Sequence, residues 1–298
     1  MGNRIFVAVV VLLWATTMSW LVVDKILPPF LQGEPPKAGT LRDEPVCWDI
    51  SFEDRPIGHA VSQLVPGAMA TTELHSRVLL EDVPLREMAP QWMSSLVGSM
   101  GHVRLDTRTR LTLDSLGNLS SFQTKVWLNE LPSVVRISGH VEGADLVLKF
   151  QSGEMIHEAK YPLPSYALLG SELIPEPKLL QIYVGRKWQK EVFSPFRTPN
   201  NAMELIQAEV VKEETIVHND TLTRVKRIDY RTLLTSGVSV DDRLRAVQWV
   251  ADDGVVVRQD VYLVNVKLRF ERRDDPKSLQ AGKVLLDLGQ FATIADPN

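Results

Sequence analysis

The sequence predicts a mainly β protein: a large curled antiparallel sheet, a half-barrel-like meander with one or two short helices, preceded by a single transmembrane helix. Three observations predict it. Apolar and polar residues alternate with period two over most of the chain beyond residue 46. Gly-, Asn- and Asp-containing turns separate these runs at intervals of roughly 10–14 residues, which favours antiparallel neighbours. One uncharged run, Ile5 to Val23, stands apart from that pattern.

Composition bounds the rest. The chain has 298 residues, a formal net charge of -4, 44% hydrophobic and 23% charged residues. That apolar content excludes disorder over the whole length. A single cysteine, Cys47, excludes an internal disulfide. A mean hydropathy of -0.05 excludes a polytopic membrane protein. Residues 41–298 hold 30 basic and 35 acidic residues. A balance this mild gives no nucleic-acid partner.

The first element is the anchor. Residues 5–23 read IFVAVVVLLWATTMSWLVV, and a helix of that length spans about 28 Å, close to the ~30 Å hydrocarbon core. Arg4 and the α-amino group precede it, while Asp24 and Lys25 cancel behind it, so residues 1–4 are cytoplasmic and the bulk lies outside. The run is longer than a cleaved signal's apolar region and lacks a small-x-small site, so we read an uncleaved signal anchor. Phe6 stands where a myristoylation signal needs Ser or Thr. Residues 24–45 form a Pro-rich spacer, stiff and extended. The β domain is 46–273 and a weakly patterned tail, expected to cross back over the sheet, is 274–298.

Within the domain a hairpin pairs Trp48–Phe52 with Gly58–Gln63. Leu85, Met88, Trp92 and Leu96 then recur at helical spacing, so Val83–Gly98 is expected to be a helix capped by Asp82 and opened by Pro84. His102–Asp114 is the clearest strand: Val103, Leu105, Thr107, Leu111 and Leu113 alternate with Arg104, Asp106, Arg108 and Arg110. Strands follow over Leu119–Leu128, around Val135–Glu142, around Leu146–Phe150 and over Met155–Tyr161. A Pro-rich stretch, 162–178, is read as a crossover between two halves of one sheet. The Gly185–Trp188 turn leads into a Trp-bearing strand. The pattern resumes over Glu204–Val217, Thr221–Leu234, Arg243–Ala251, Val255–Asp260 and Val261–Glu271, with Asp252-Asp253-Gly254 a hairpin signal.

Chemistry is sparse. The sequence contains no G-x-S-x-G, S-x-x-K, Walker, G-x-G-x-x-G or H-E-x-x-H motif. Its six histidines are never within four residues of one another, which gives no metal site and no cofactor. Cys47 is the one candidate thiol nucleophile, with His59 across the hairpin; a small apolar residue at a strand start is the reading we adopt. That leaves no catalytic residue. Trp92, Phe122, Trp127, Trp188 and Trp249 are candidates either to line a ligand cavity on a curled sheet or to fill its core.

The order of these features resembles uncharacterised bacterial envelope domains. It starts with a Trp-x-Ile-x-Phe strand and Pro-Ile-Gly-His hairpin (Trp48–His59). It continues through Leu119–Phe122, LLQIYVGRKWQKEVFSPF (Leu179–Phe196) and the Val-x-x-Glu strand at Val210–Glu213, and closes at Trp249–Gly254. Similar layouts precede transglutaminase-like domains, and the pattern is also similar to curled-sheet, lipoprotein-carrier-like (LolA/LolB-type) proteins. The resemblance implies a bacterial host. Transglutaminase chemistry does not carry over, because Cys47 belongs to no Cys-His-Asp set. The expected function is a non-enzymatic, membrane-anchored extracytoplasmic binding module, held by its N-terminal helix and taking a lipid, another hydrophobic ligand or an extended partner. The alternative is a structural or interaction subunit with an envelope protein partner; a Cys47-dependent enzyme is the third reading.

Overall fold

A computed structural model describes residues 2–21, 32–33, 35–36, 44–84, 102–115, 118–129, 135–162, 168–169, 178–193, 203–233, 244–263 and 266–286. Helix α1 is Gly2–Leu21. The strands of the first half are β1 (Gln32–Gly33), β2 (Val46–Phe52), β3 (Arg55–Pro66), β4 (Thr72–Pro84), β5 (His102–Leu113), β6 (Leu119–Leu128), β7 (Val135–Glu142), β8 (Asp145–Ser152) and β9 (Met155–Pro162). Those of the second half are β10 (Leu168–Leu169), β11 (Lys187–Phe193), β12 (Met203–His218), β13 (Thr221–Leu233), β14 (Leu244–Ala251), β15 (Val256–Leu263) and β16 (Val266–Arg273). Helix α2, Pro276–Leu285, follows, and a single 3-10 turn, Ala68–Ala70, joins β3 to β4.

One large antiparallel sheet contains almost all of this. Strands β2 to β9 form one unbroken meander and β11 to β16 a second. The chain crosses from the β9 edge to the opposite β11 edge, and β16 then returns to pair with β2, Phe270 facing Ile50. The 162–178 stretch is thus a crossover within one sheet. The two-residue strands β1 and β10 add to β11 in parallel. The sheet does not close among the described residues, since β9 and β11 are not partners.

Period two explains the core. Trp48, Ile50 and Phe52 of β2, Leu268 and Phe270 of β16, and Trp188, Val210, Ile228 and Val250 of the second half all point to one face and are essentially buried. A flat single-layered sheet exposes both faces. Burial this complete, with strands as nearly the only described cover, requires the sheet to curl over its own apolar face. Each such side chain contributes about 1.5–3 kcal/mol. The segment between the crossover and β11 supplies Leu179 and Ile182 to the same core. A second apolar cluster, Leu119, Phe122, Leu146 and Leu148, lies on that face of β6 and β8.

Several expectations change in detail. The first two residues of the expected 83–98 helix, Val83 and Pro84, are strand and pair with Val103 and His102. Asp82 has a φ of 58° at a bulge that lets the β4–β5 ladder continue past it. The remainder of that helix, Trp92 included, lies outside the described residues. The break expected between Asp260 and Val261 falls between Leu263 and Val266, so that Val261 pairs with Leu268. The tail holds helix α2: Asp275 accepts hydrogen bonds from the backbone N–H (3.0 Å) and hydroxyl (2.6 Å) of Ser278 at its N-terminus. Leu286 then packs with Cys47 and Val61 on the face opposite the main core.

Ile5 lies within α1, and Val23 lies outside the described residues. The side chains of α1 are described over Val11–Trp20, a length of about 15 Å. Among the described residues no helix is long and apolar enough to cross a membrane.

Candidate functional site

The face opposite the core carries an open concavity over β5 to β9. Alternation aligns side chains of successive strands into rows. One row runs Arg110–Gln123–Ser138–Lys149–Glu158, and the row two residues along each strand runs Thr112–Ser121–His140–Val147. Together they line a cavity of about 500 Å³. Its floor is set by a close approach: a Cβ on Gly139 would overlap the Phe122 ring and lie 2.9 Å from Leu148 Cδ2. Phe122 thus fills the space under Gly139 from the core side, and the cavity side keeps hydroxyls, an amide, an imidazole and charged ends.

Arg110 is fixed at one end. It donates from Nε and Nη2 to Glu73 of β4 at 2.9 and 2.6 Å, and His75 Nε2 lies 2.8 Å from the same carboxylate. These bonds, Arg110's first, hold Glu73 below the usual carboxylate range against the opposing effect of burial. Strand β9 forms the other end, where Lys160 pairs with Asp145 at 3.3 Å.

The five aromatic candidates separate. Trp188 is in the main core, edge-on to Tyr230 at 6.1 Å. Phe122 is in the second cluster. Trp127 lies on the opposite face beneath the Arg108 guanidinium, 4.9 Å from its centroid. Trp249 is also on that face: Arg258 lies over its ring, and its Nε1 donates to Glu214 at 2.6 Å. Trp92 lies outside the described residues. None of the four described aromatics lines the cavity except Phe122, through its ring edge at Gly139.

Cys47 is buried, and its Sγ donates to the Ser278 carbonyl at 3.2 Å. Burial, with Asp275 and Asp274 behind it, pushes the thiol up to about 11. His59 is directed elsewhere, with Nδ1 2.9 Å from Asp49 Oδ1. Among the described residues no three His, Cys, Asp or Glu side chains cluster closely enough to hold a metal ion.

Sequence reasoning missed the cavity because its residues are unremarkable within each strand. The polar sides of β5 to β8 were legible as wet faces, but which residues stand abreast depends on register, and register is a property of the pairing.

No family model and no curated protein matches the chain. It is similar to a solved β-barrel-like protein of domain of unknown function DUF1849 from Brucella abortus, with 13% identity and a TM-score of 0.47 over 79% of this chain and 100% of that one. It is similar to a DUF1089 family protein from Pseudomonas aeruginosa, at 14% identity and a TM-score of 0.34 over 77% and 96% of the two chains. A third, a protein of YmcC-like fold from Bacteroides fragilis, gives 9% identity and a TM-score of 0.29 over 80% and 97%.

Proposed function

We propose that the chain is a membrane-tethered, extracytoplasmic binding module without catalysis of its own, and that its binding surface is the polar cavity on β5 to β9. The carrying observation is the contrast between the two faces. The core face is filled by packed side chains such as Trp48, Trp188 and Phe270, while the opposite face holds an open cavity lined by Gln123, Ser138, His140 and Lys149. Ligand sites combine a concavity with a few convergent polar groups. The hydrophobic-ligand reading needs a hollow interior; the polar reading uses the space the structure provides. The uncharged 5–23 run serves as the tether, with the spacer holding the sheet off the membrane.

Full-length protein in a maltoside detergent tests this by thermal shift against soluble saccharides, polyols and their phosphate esters. At least one should raise the melting temperature of the wild type and not of a Gln123→Leu/His140→Leu variant. No such ligand, together with one lipid retained per chain in native mass spectrometry, would overturn the polar reading. A reporter fused after residue 298 that is active only outside the cytoplasm is the expected topology result, and activity only inside overturns it.

One observation favours the envelope-subunit alternative. Among the described residues strand β9 is an edge, and Met155 and Ile156 on it are 70% and 60% exposed. An extended partner segment adds to such an edge through main-chain bonds. A photo-crosslinker at Met155 that captures a protein in intact membranes supports it; recovery of uncrosslinked monomer alone counts against it.

A further inference from the structure

The face that carries the cavity also carries four cations in one cross-strand line. Arg77 of β4 faces Arg108 of β5, Arg108 faces Lys125 of β6, and Lys125 faces Arg136 of β7. With strands about 4.8 Å apart the line is about 15 Å long. Like charges directly opposite each other weaken an antiparallel pair. Asp106 serves one end of this line. Asp106 accepts two bonds from Arg77, at 3.0 and 2.7 Å, and lies 3.5 Å from Arg108. Among the described residues Lys125 and Arg136 have no ion pair.

The rest of the face behaves differently. Asp229 takes Arg227 and Arg231, Asp260 takes Arg269, and Glu271 takes Arg258. Even Arg110, in the adjacent row, has Glu73. The fold therefore pairs its cations where pairing serves stability and leaves two side by side at the cavity rim. Gln123 and Ser138 stand two residues along from Lys125 and Arg136 on the same strands and the same face, about 7 Å away. Burial and the neighbouring Arg136 and Arg108 charges lower the Lys125 pKa, which is the signature of a cation short of counter-charge.

We infer that this line is an anion site and that the ligand is a phosphate-bearing polyol, its phosphate on Lys125 and Arg136 and its hydroxyls on Gln123, Ser138 and His140. The inference rests on the binding-module reading and names its ligand class. Lys125 and Arg136 alone present two positive charges side by side. A phosphate monoester brings roughly -1.5 to -2 and three acceptor oxygens, whereas a carboxylate brings one charge and two. Arg136 supplies a planar fork for the oxygens and Lys125 a point charge beside it.

Calorimetry on the detergent-solubilised full chain at low ionic strength tests it. The soluble probe is glycerol 3-phosphate, and the lipid probe is dihexanoyl phosphatidylglycerol set against dihexanoyl phosphatidylcholine. Binding of the first assigns a free phosphoester, and binding of phosphatidylglycerol alone assigns a lipid headgroup; either supports the shared chemistry. Lys125→Gln/Arg136→Gln should weaken binding at least tenfold, and Arg224→Gln, far along β13, should not. The double variant removes like-charge repulsion, so its melting temperature should match or exceed the wild type, which separates ligand loss from misfolding. Lys125→Arg should retain binding. Failure of both phosphate probes, unchanged affinity in the double variant, or glucuronate binding as tightly as glycerol 3-phosphate overturns the inference. A neutral polyol that binds in the double variant and is lost in Gln123→Leu/His140→Leu overturns the anionic class while the binding module stands.

Discussion

Cys47 is held as a thiol by its surroundings. Its Sγ donates to a carbonyl, and burial with two nearby carboxylates raises its pKa to about 11. The thiolate is the nucleophile, so native protein at pH 7.5 should resist a thiol reagent that labels the unfolded chain fully; rapid native labelling would favour the Cys47-dependent enzyme reading. Folding keeps the proton on Cys47 beyond the point where the unfolded thiol ionises. The stability this adds is complete below about pH 9 and is lost as pH rises toward 11. Denaturation midpoints of the wild type and Cys47→Ala should therefore converge across that window. A second residue carries a larger cost. Asp260 has a 4% exposed side chain and binds Arg269 through two bonds of 2.9 and 3.1 Å. Asp260→Ala leaves the Arg269 guanidinium with the exposed Asp54, 3.2 Å from its Nη1, in place of a buried two-bond partner and should cost about 3 kcal/mol, whereas Asp260→Leu/Arg269→Met should cost far less. Urea unfolding of the two variants checks the contrast.

At the scale of elements, α2 is seated by a glycine. A Cβ on Gly282 would lie 2.5 Å from Cys47 Sγ and 3.1 Å from Val61 Cγ2. On an exposed helix Gly→Ala stabilises by about 1 kcal/mol. Here Gly282→Ala should destabilise by about 1–3 kcal/mol through overpacking. Cys47→Ala in the same chain should recover part of that loss, and a double-mutant cycle measures the coupling. The start of the helix is legible in the sequence, since Asp275-Pro276 followed by Ser278 is an N-cap signature, but its weak apolar pattern gives no helical period. Strands β5 to β9 and β12 to β14 were legible for the opposite reason, since one wet face makes alternation plain. Strand β4 is hard to read because its core-facing row, Leu74, Ser76, Val78 and Leu80, includes a serine, and Leu79 breaks the polar row. The cation line could not be read at all. Arg77, Arg108, Lys125 and Arg136 each look like ordinary solvated charges until pairing sets them abreast.

For the whole molecule, topology makes the two halves one structure. The crossover joins opposite edges, while the two meanders are joined in the middle by β16 and β2, from Leu268 facing Phe52 to Arg273 facing Cys47. The same junction buries Trp48, Ile50, Phe52, Leu268 and Phe270 in a core shared by both halves. The covalent link between β9 and β11 is therefore not what holds the halves together. A connecting loop contributes mainly by limiting the entropy of closure, which grows slowly with its length. At ~1.5–3 kcal/mol per large buried side chain, the five side chains at the junction outweigh that term. Inserting a protease site between Leu169 and Lys178 and cutting the folded full-length protein should leave the two fragments together on size exclusion, with an unchanged near-UV spectrum. Urea should then separate them in one transition at a lower midpoint than the intact chain, because cutting turns unfolding into dissociation. Fragments that part without denaturant would mean that β16 and β2 are held together by the crossover.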